Sequence, residues 1–285
     1  MKKIVQRFLV FFVGFPLLLS LILLFPHYNH LLLNLTLLVF SILSALEFRN
    51  ILAKKNLHIS AAESLVFGAL FPAVWILIVC FDFPKHIVAG TFILAASWLL
   101  FSLVFMKKEN LNASIGRVTA GFAVMIYPGL FLAWAIRLAA FGEASMVILI
   151  FFLVVLLNDS AAWAAGNLWG SGNRGFVAAS PNKSIAGFIG GLFFSVLSGI
   201  AAALFIPSAF SSTLMPSLPA GALLGLVAGL AATIGDLAES AIKRSVGVSD
   251  SGAKIMGRGG ALDSVDSVAL AAPVYYFMYL LLFSQ

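Results

Sequence analysis

Apolar residues run almost unbroken along this chain, interrupted by short polar stretches at fairly regular intervals. The runs lie near 8–25, 31–46, 61–80, 87–106, 118–138, 144–166, 185–206, 218–235 and 265–283. Most reach the length that an α-helix needs to cross the ~30 Å hydrocarbon layer of a bilayer. Helices suit that solvent because they satisfy every backbone N–H and C=O internally. The pattern predicts an all-α protein, a polytopic transmembrane helical bundle of about nine helices. Residues 1–140 are expected to be N-terminal, structural helices, and residues 141–285 C-terminal helices carrying the chemistry, within one integrated membrane domain. Residues 1–25 have the charged start and apolar body of a signal peptide, but no small-x-small cleavage site follows, so a retained first helix is expected.

Composition strengthens this picture. The chain is 62% hydrophobic and 10% charged, with 27 phenylalanines and a mean hydropathy of +1.08. The single cysteine, Cys80, excludes an intrachain disulfide and a thiolate metal cluster.

Net charge is +6, and its distribution speaks for topology rather than for nucleic acid. With the N-terminus cytoplasmic, fifteen of the seventeen Lys and Arg residues fall inside, and only Lys85 and Arg137 fall outside. Such a bias orients a membrane protein. An integral membrane protein is expected, with its polar segments on the cytoplasmic side.

The first half is chemically quiet in this reading, its basic loops serving to fix orientation. In the second half, Gly221, Gly225 and Gly229 recur every four residues. Such a stripe lets another backbone approach closely, within the bundle or at a dimer interface, or else leaves a smooth wall for an acyl chain. Gly187, Gly190 and Gly191 invite the same readings.

Three polar islands break the apolar pattern, all on the predicted cytoplasmic side. Asn158 and Asp159 end the apolar run 146–157 inside a span. A polar pair at that depth faces a hydrated cavity or a cation, or else forms an interhelical hydrogen bond that locks the bundle. The second island contains Ser180-Pro181-Asn182-Lys183-Ser184, a turn into the seventh helix because Pro181 disfavours helix at Ser180. Orphan amides at that helix start, with Lys183, suit a phosphate, although Ser and Asn also simply cap helices.

The third island, 235–267, holds five of the eleven carboxylates: Asp236, Glu239, Asp250, Asp263 and Asp266. Asp236, Glu239, Ser240 and Lys243 share one helix face, and Asp263 and Asp266 share another. Between them, Gly252, Gly257, Gly259 and Gly260 permit a loop that folds closely over a ligand. Two acidic faces, the basic pair Lys243-Arg244 and a glycine loop suit magnesium and polyphosphate, with a salt-bridge network as the plainer alternative.

In order along the chain stand Asn158-Asp159-Ser160, Ser180-Pro181-Asn182-Lys183-Ser184, Ser240 with Lys243-Arg244, Ser249-Asp250-Ser251-Gly252, Met256-Gly257-Arg258-Gly259-Gly260 and Asp263-Ser264-Val265-Asp266-Ser267. This succession resembles the phosphatidate cytidylyltransferase (CDP-diacylglycerol synthase) family. The resemblance implies transfer of CMP from CTP to phosphatidate, with release of pyrophosphate. It implies Asp236, Lys243, Arg244, Asp263 and Asp266 as catalytic residues, with Asp236, Asp263 and Asp266 holding Mg²⁺ and K⁺ as a second ion. Substrate contacts are expected at Asn158, Asp159, Ser180, Lys183, Glu239, Ser240, Asp250, Arg258, Gly259 and Gly260, and a homodimer is expected.

Ser249, Ala186, Arg258 and Ser264 depart from the family pattern, which bears on nucleotide contacts and lipid preference. Two other classes compete with this reading. A CTP-dependent lipid-alcohol (polyprenol) kinase would transfer the γ-phosphoryl group and release CDP. A transporter would need polar groups on both sides of the membrane, and the outer side here is nearly bare.

Overall fold

The structure is a computed structural model that describes residues 2–212, 214–252 and 259–283, with side chains from Phe12 onward. The described residues form nine helical segments and no strand beyond an isolated bridge between Arg174 and Ser184. They are α1 (Lys2–Leu23), α2 (His27–Ala53), α3 (Ala61–Phe81), α4 (Ile87–Val104), a segmented α5 (Lys108–Ala140), α6 (Ala144–Trp169), α7 (Ile185–Phe205), α8 (Ser217–Ser245) and α9 (Leu262–Phe283). Among the described residues, α2 to α9 are long and apolar enough to cross a membrane. The protein is a polytopic membrane helical bundle.

Several helix ends follow local chemistry. Ser60 caps α3 by accepting from the Glu63 amide (3.1 Å), and Glu63 reaches back to the Ser60 amide (3.2 Å), the reciprocal arrangement of a capping box. Tyr28, Asn29 and His30 have left-handed backbone, so the right-handed part of α2 starts after His30, where the apolar run begins. In α5 the turn around Pro128 widens to a π-helix over Met125–Phe131, since proline has no N–H to give the α-helical ladder.

The chain divides into two compact units, Met1–Arg137 with Val246–Val265, and Leu138–Ser245 with Asp266–Gln285. The glycine-rich stretch after α8 therefore groups with the N-terminal helices. In the first unit the Ser41 hydroxyl lies 2.6 and 2.7 Å from the carbonyls of Gly68 and Pro128. Glu63 takes an ion pair from Arg117 and a hydrogen bond from the Trp98 indole (3.3 Å).

The second unit is built on close backbone approach. A Cβ at Gly221 or Gly225 would collide with the α7 backbone at Gly199 or Ser195. One at Gly187 would stand 2.6 Å from the Ala162 carbonyl of α6, and one at Gly190 2.5 Å from the Ala165 methyl. Both glycine stripes are thus consumed by packing among α6, α7 and α8, the first of the readings open from sequence. Tyr275 and Tyr279 of α9 tie the unit further, donating to the carbonyls of Val147 (3.1 Å) and Ala209 (2.7 Å). Large apolar side chains such as Leu94, Val104, Phe105, Trp169 and Phe205 stay exposed, as lipid-facing positions do.

Candidate functional site

In the second unit, polar side chains from α6, the turn before α7, α8 and α9 gather into one cluster. The α8 contribution begins at Gly235, where a Cβ would stand 2.6 Å from the Asp266 carbonyl oxygen. The missing side chain lets α8 and α9 touch, and it sets Asp236 beside Asp266. Asp236 then forms two contacts, an ion pair from its Oδ2 to Lys183 Nζ (2.6 Å) and a hydrogen bond at 3.4 Å from Ser240 Oγ to its Oδ1. Asp266 lies within electrostatic reach of Asp236, Asp159 and Glu239, and its Oδ1 accepts from the Ser267 amide (2.6 Å). The Ser267 hydroxyl in turn reaches Asp159 Oδ1 at 3.4 Å. Three further carboxylates thus lie within electrostatic reach of Asp266, and Lys183 pairs with one of them.

Lys183 is presented there by the turn that its sequence predicts. The Lys183 amide donates to the Ser180 carbonyl (3.0 Å) across Pro181 and Asn182, and the Gly175 amide donates to the Lys183 carbonyl (3.1 Å). Ser184 then caps α7, accepting from the Gly187 amide at 3.0 Å. Ser180 belongs to this turn as its first residue and is half-buried.

One turn beyond Asp236, Glu239 and Lys243 form an i,i+4 ion pair that is almost wholly buried (side chains 1% and 10% exposed). Lys243 is thereby directed to Glu239, whereas Arg244 is exposed at the end of α8. Asn158 resolves to the locking alternative. Its amide donates to Ser195 Oγ (2.9 Å) and to the Gly229 carbonyl (3.3 Å), and its Oδ1 accepts from Thr233 (3.1 Å). At 2% exposed it joins α6, α7 and α8.

A second cluster belongs to the first unit. Asp263 Oδ2 accepts from the Ser251 amide (2.9 Å), the Ser251 hydroxyl (2.9 Å) and the Gly260 amide (2.7 Å). Gly259 takes φ +99°, a left-handed conformation that favours glycine, and a Cβ there would lie 2.6 Å from that same oxygen. Gly259 and Gly260, two of the glycines expected to fold over a ligand, lie against this carboxylate, and Gly257 lies outside the described residues. Asp250 is exposed and accepts from Ser249 Oγ (2.8 Å). Arg258 lies outside the described residues.

Glu47, near the end of α2, has no counterpart in the sequence reading. It is 3% exposed, and its Oε2 accepts from the Leu262 amide (3.0 Å) and stands 3.1 Å from Ser251 Oγ. The signal available was a lone acid between Leu46 and Phe48 in an apolar helix. The quiet first half thus supplies a group to the polar loop.

Aspartates 236, 263 and 266 were expected to share a metal. Among the described residues, no group of three His, Cys, Asp or Glu side chains is placed to hold one. The carboxylates of the second unit still provide hard oxygen donors, and Mg²⁺ characteristically takes one or two carboxylates while substrate phosphates and water complete its shell. Asp236 and Asp266 carry donors of that kind.

A model described as the cytidylyltransferase family matches residues 5–282 of this chain. A Staphylococcus aureus protein named phosphatidate cytidylyltransferase is 29% identical over 239 residues, covering 80% of this chain and 86% of its own length. Its namesake in Staphylococcus haemolyticus is 30% identical over 244 residues, covering 84% of this chain and 88% of its own. A Synechocystis protein of the same name is 36% identical over 143 residues, half of this chain and 46% of its own.

Proposed function

This chain belongs to the cytidylyltransferase family, and from that membership we propose that it transfers CMP from CTP to phosphatidate, forming CDP-diacylglycerol and pyrophosphate in phospholipid biosynthesis. The observation that carries the reading is the match across residues 5–282, which takes in both polar clusters. A phosphatidate oxygen attacks the α-phosphorus of CTP. As that P–O bond forms, the bond from the α-phosphorus to the bridging oxygen breaks, and pyrophosphate leaves with the electron pair. The chemistry asks for in-line positioning and charge neutralisation rather than for a protein nucleophile.

Lys183 and the exposed Arg244 are the groups proposed to bind phosphate, Lys as a point charge and Arg as a fork. Lys243 takes a supporting part, holding Glu239 and with it the polar face of α8. Asp159, Ser180 and Ser240 shape the surroundings of Lys183 and Asp236 for nucleotide or headgroup. Asp250, Arg258, Gly259 and Gly260 are assigned to the same substrates from the glycine loop, and Asp263 acts from there with Oδ2 held by the loop's own donors.

Magnesium, with Asp236 and Asp266 as its protein ligands, would supply charge neutralisation at the polyphosphate. A potassium ion and a homodimer belong to the same proposal. So do a bacterial cytoplasmic membrane, the N-terminus in the cytoplasm and a site open to cytoplasmic CTP, supported by the fifteen-to-two charge bias and by the bacterial relatives.

The test is a reaction of purified protein with phosphatidate, Mg²⁺ and CTP labelled in the α-phosphate. Labelled CDP-diacylglycerol with stoichiometric pyrophosphate is expected. Release of CDP would instead mark a kinase, and no nucleotide turnover by folded protein would sink the assignment.

A further inference from the structure

Glu47 is buried in α2, and its placement is determined by what it holds. Leu262 is the first residue of α9, so its N–H has no acceptor within the helix. Glu47 Oε2 accepts a hydrogen bond from that N–H at 3.0 Å across 215 residues of sequence, setting a carboxylate at the positive end of the helix. The same oxygen stands 3.1 Å from Ser251 Oγ, which stands 2.9 Å from Asp263 Oδ2. One serine hydroxyl, with a single proton to donate, therefore stands between the two carboxylates. The chain around Glu47 is moulded to it, since a Cβ at Gly252 would lie 2.6 Å from Glu47 Oε1 and one at Gly260 would collide with Ser251 Oγ and Glu47 Oε2.

Among the described residues, Glu47 Oε1 is buried without a hydrogen-bond partner. The donors to Oε2 offset part of the cost of burying that carboxylate. The distinctive effect of Glu47 is geometric, because Ser251 and the first turn of α9, which it holds, are among the supports of the Asp263 carboxylate, beside the Gly260 amide.

We infer that Glu47 is a positioning residue for the transfer reaction, acting on Asp263 through Ser251 and the first amide of α9. The inference rests on the cytidylyltransferase reading and on the part given there to Asp263. It makes α2 a contributor to the active machinery and gives Gly252 and Gly260 a specific purpose, room for the Glu47 carboxylate.

The experiment compares wild type, Glu47→Ala, Glu47→Gln, Ser251→Ala, Asp263→Asn and the Glu47→Ala/Asp263→Asn double variant as purified full-length proteins. Each is assayed for kcat, for KM toward CTP and phosphatidate, and for thermal midpoint. Misplacing a reacting group by an ångström costs about a hundredfold, so Glu47→Ala should lose about that much kcat while both KM values stay within about threefold. Glu47→Gln keeps a carbonyl oxygen for the Leu262 amide and should recover most of the loss. The double variant should be no slower than Asp263→Asn alone, because Glu47 acts through Asp263. Should Glu47→Ala fail to fold, Ser251→Ala carries the test, with lowered kcat at an unchanged thermal midpoint expected. Unchanged kcat in Glu47→Ala, or in Ser251→Ala where that variant decides, would overturn the inference, as would multiplying losses in the double variant. An inactive wild type would overturn the reaction reading itself, a separate outcome.

Discussion

The Lys183–Asp236 pair joins side chains that are each about a third exposed, whereas Glu239–Lys243 is almost wholly enclosed. Burial alone makes these similar-looking pairs behave differently. An exposed pair contributes at most about 1 kcal/mol to stability. Asp236→Asn should therefore leave the thermal midpoint nearly unchanged while lowering turnover by about a hundredfold or more, as loss of charge stabilisation in a transition state does. Removing one member of a buried pair strands the other charge. Glu239→Ala should destabilise the protein by about 3–5 kcal/mol in a reversible unfolding assay, and replacing both Glu239 and Lys243 with apolar residues of similar volume should restore most of that loss. Equal loss of stability in Asp236→Asn and Glu239→Ala would contradict this division.

At the scale of helices, glycine spacing and one polar side chain decide how α6, α7 and α8 meet. Gly225 faces the Ser195 carbonyl so closely that a Cβ must displace backbone, whereas a Cβ at Gly90 of α4 meets nothing within 4 Å. Gly225→Leu should abolish recovery of folded protein, and Gly90→Ala should not, as read by monodispersity in detergent. Asn158→Leu should cost about 1 kcal/mol, the usual scale of interhelical hydrogen bonds in membranes. The glycines were legible in sequence as close-packing positions, but their partners were not. Periodicity marks a face of a helix and is silent about which neighbour covers it.

For the molecule as a whole, the proposed orientation rests on charge, and the proposed metal dependence on the carboxylates. In a Cys80→Ser background, a cysteine at Lys85 should react with an impermeant maleimide from outside sealed right-side-out vesicles, and one at Lys54 only after permeabilisation. The opposite pattern would invert the topology. Chelation by EDTA should stop CMP transfer, and added Mg²⁺ should restore it. Activity that persists through thorough chelation would remove Asp236 and Asp266 from a metal role.

Sequence alone determined the features that depend on local pattern and solvent. Apolar runs set the helices within several residues at most ends, because a hydrocarbon solvent forces backbone groups to pair within a segment. Pro181 marked the turn that presents Lys183, and the order of polar motifs pointed to the family. Tertiary structure decided which polar groups hold one another. It directed Asn158 to Ser195, Gly229 and Thr233, Lys183 to Asp236, and the loop around Gly259 and Gly260 onto Asp263. It also brought Glu47 to Ser251 and Leu262, 204 and 215 residues away. A hydrogen bond is fixed by distance and direction in space, and a contact across that much chain leaves no period for a sequence to display.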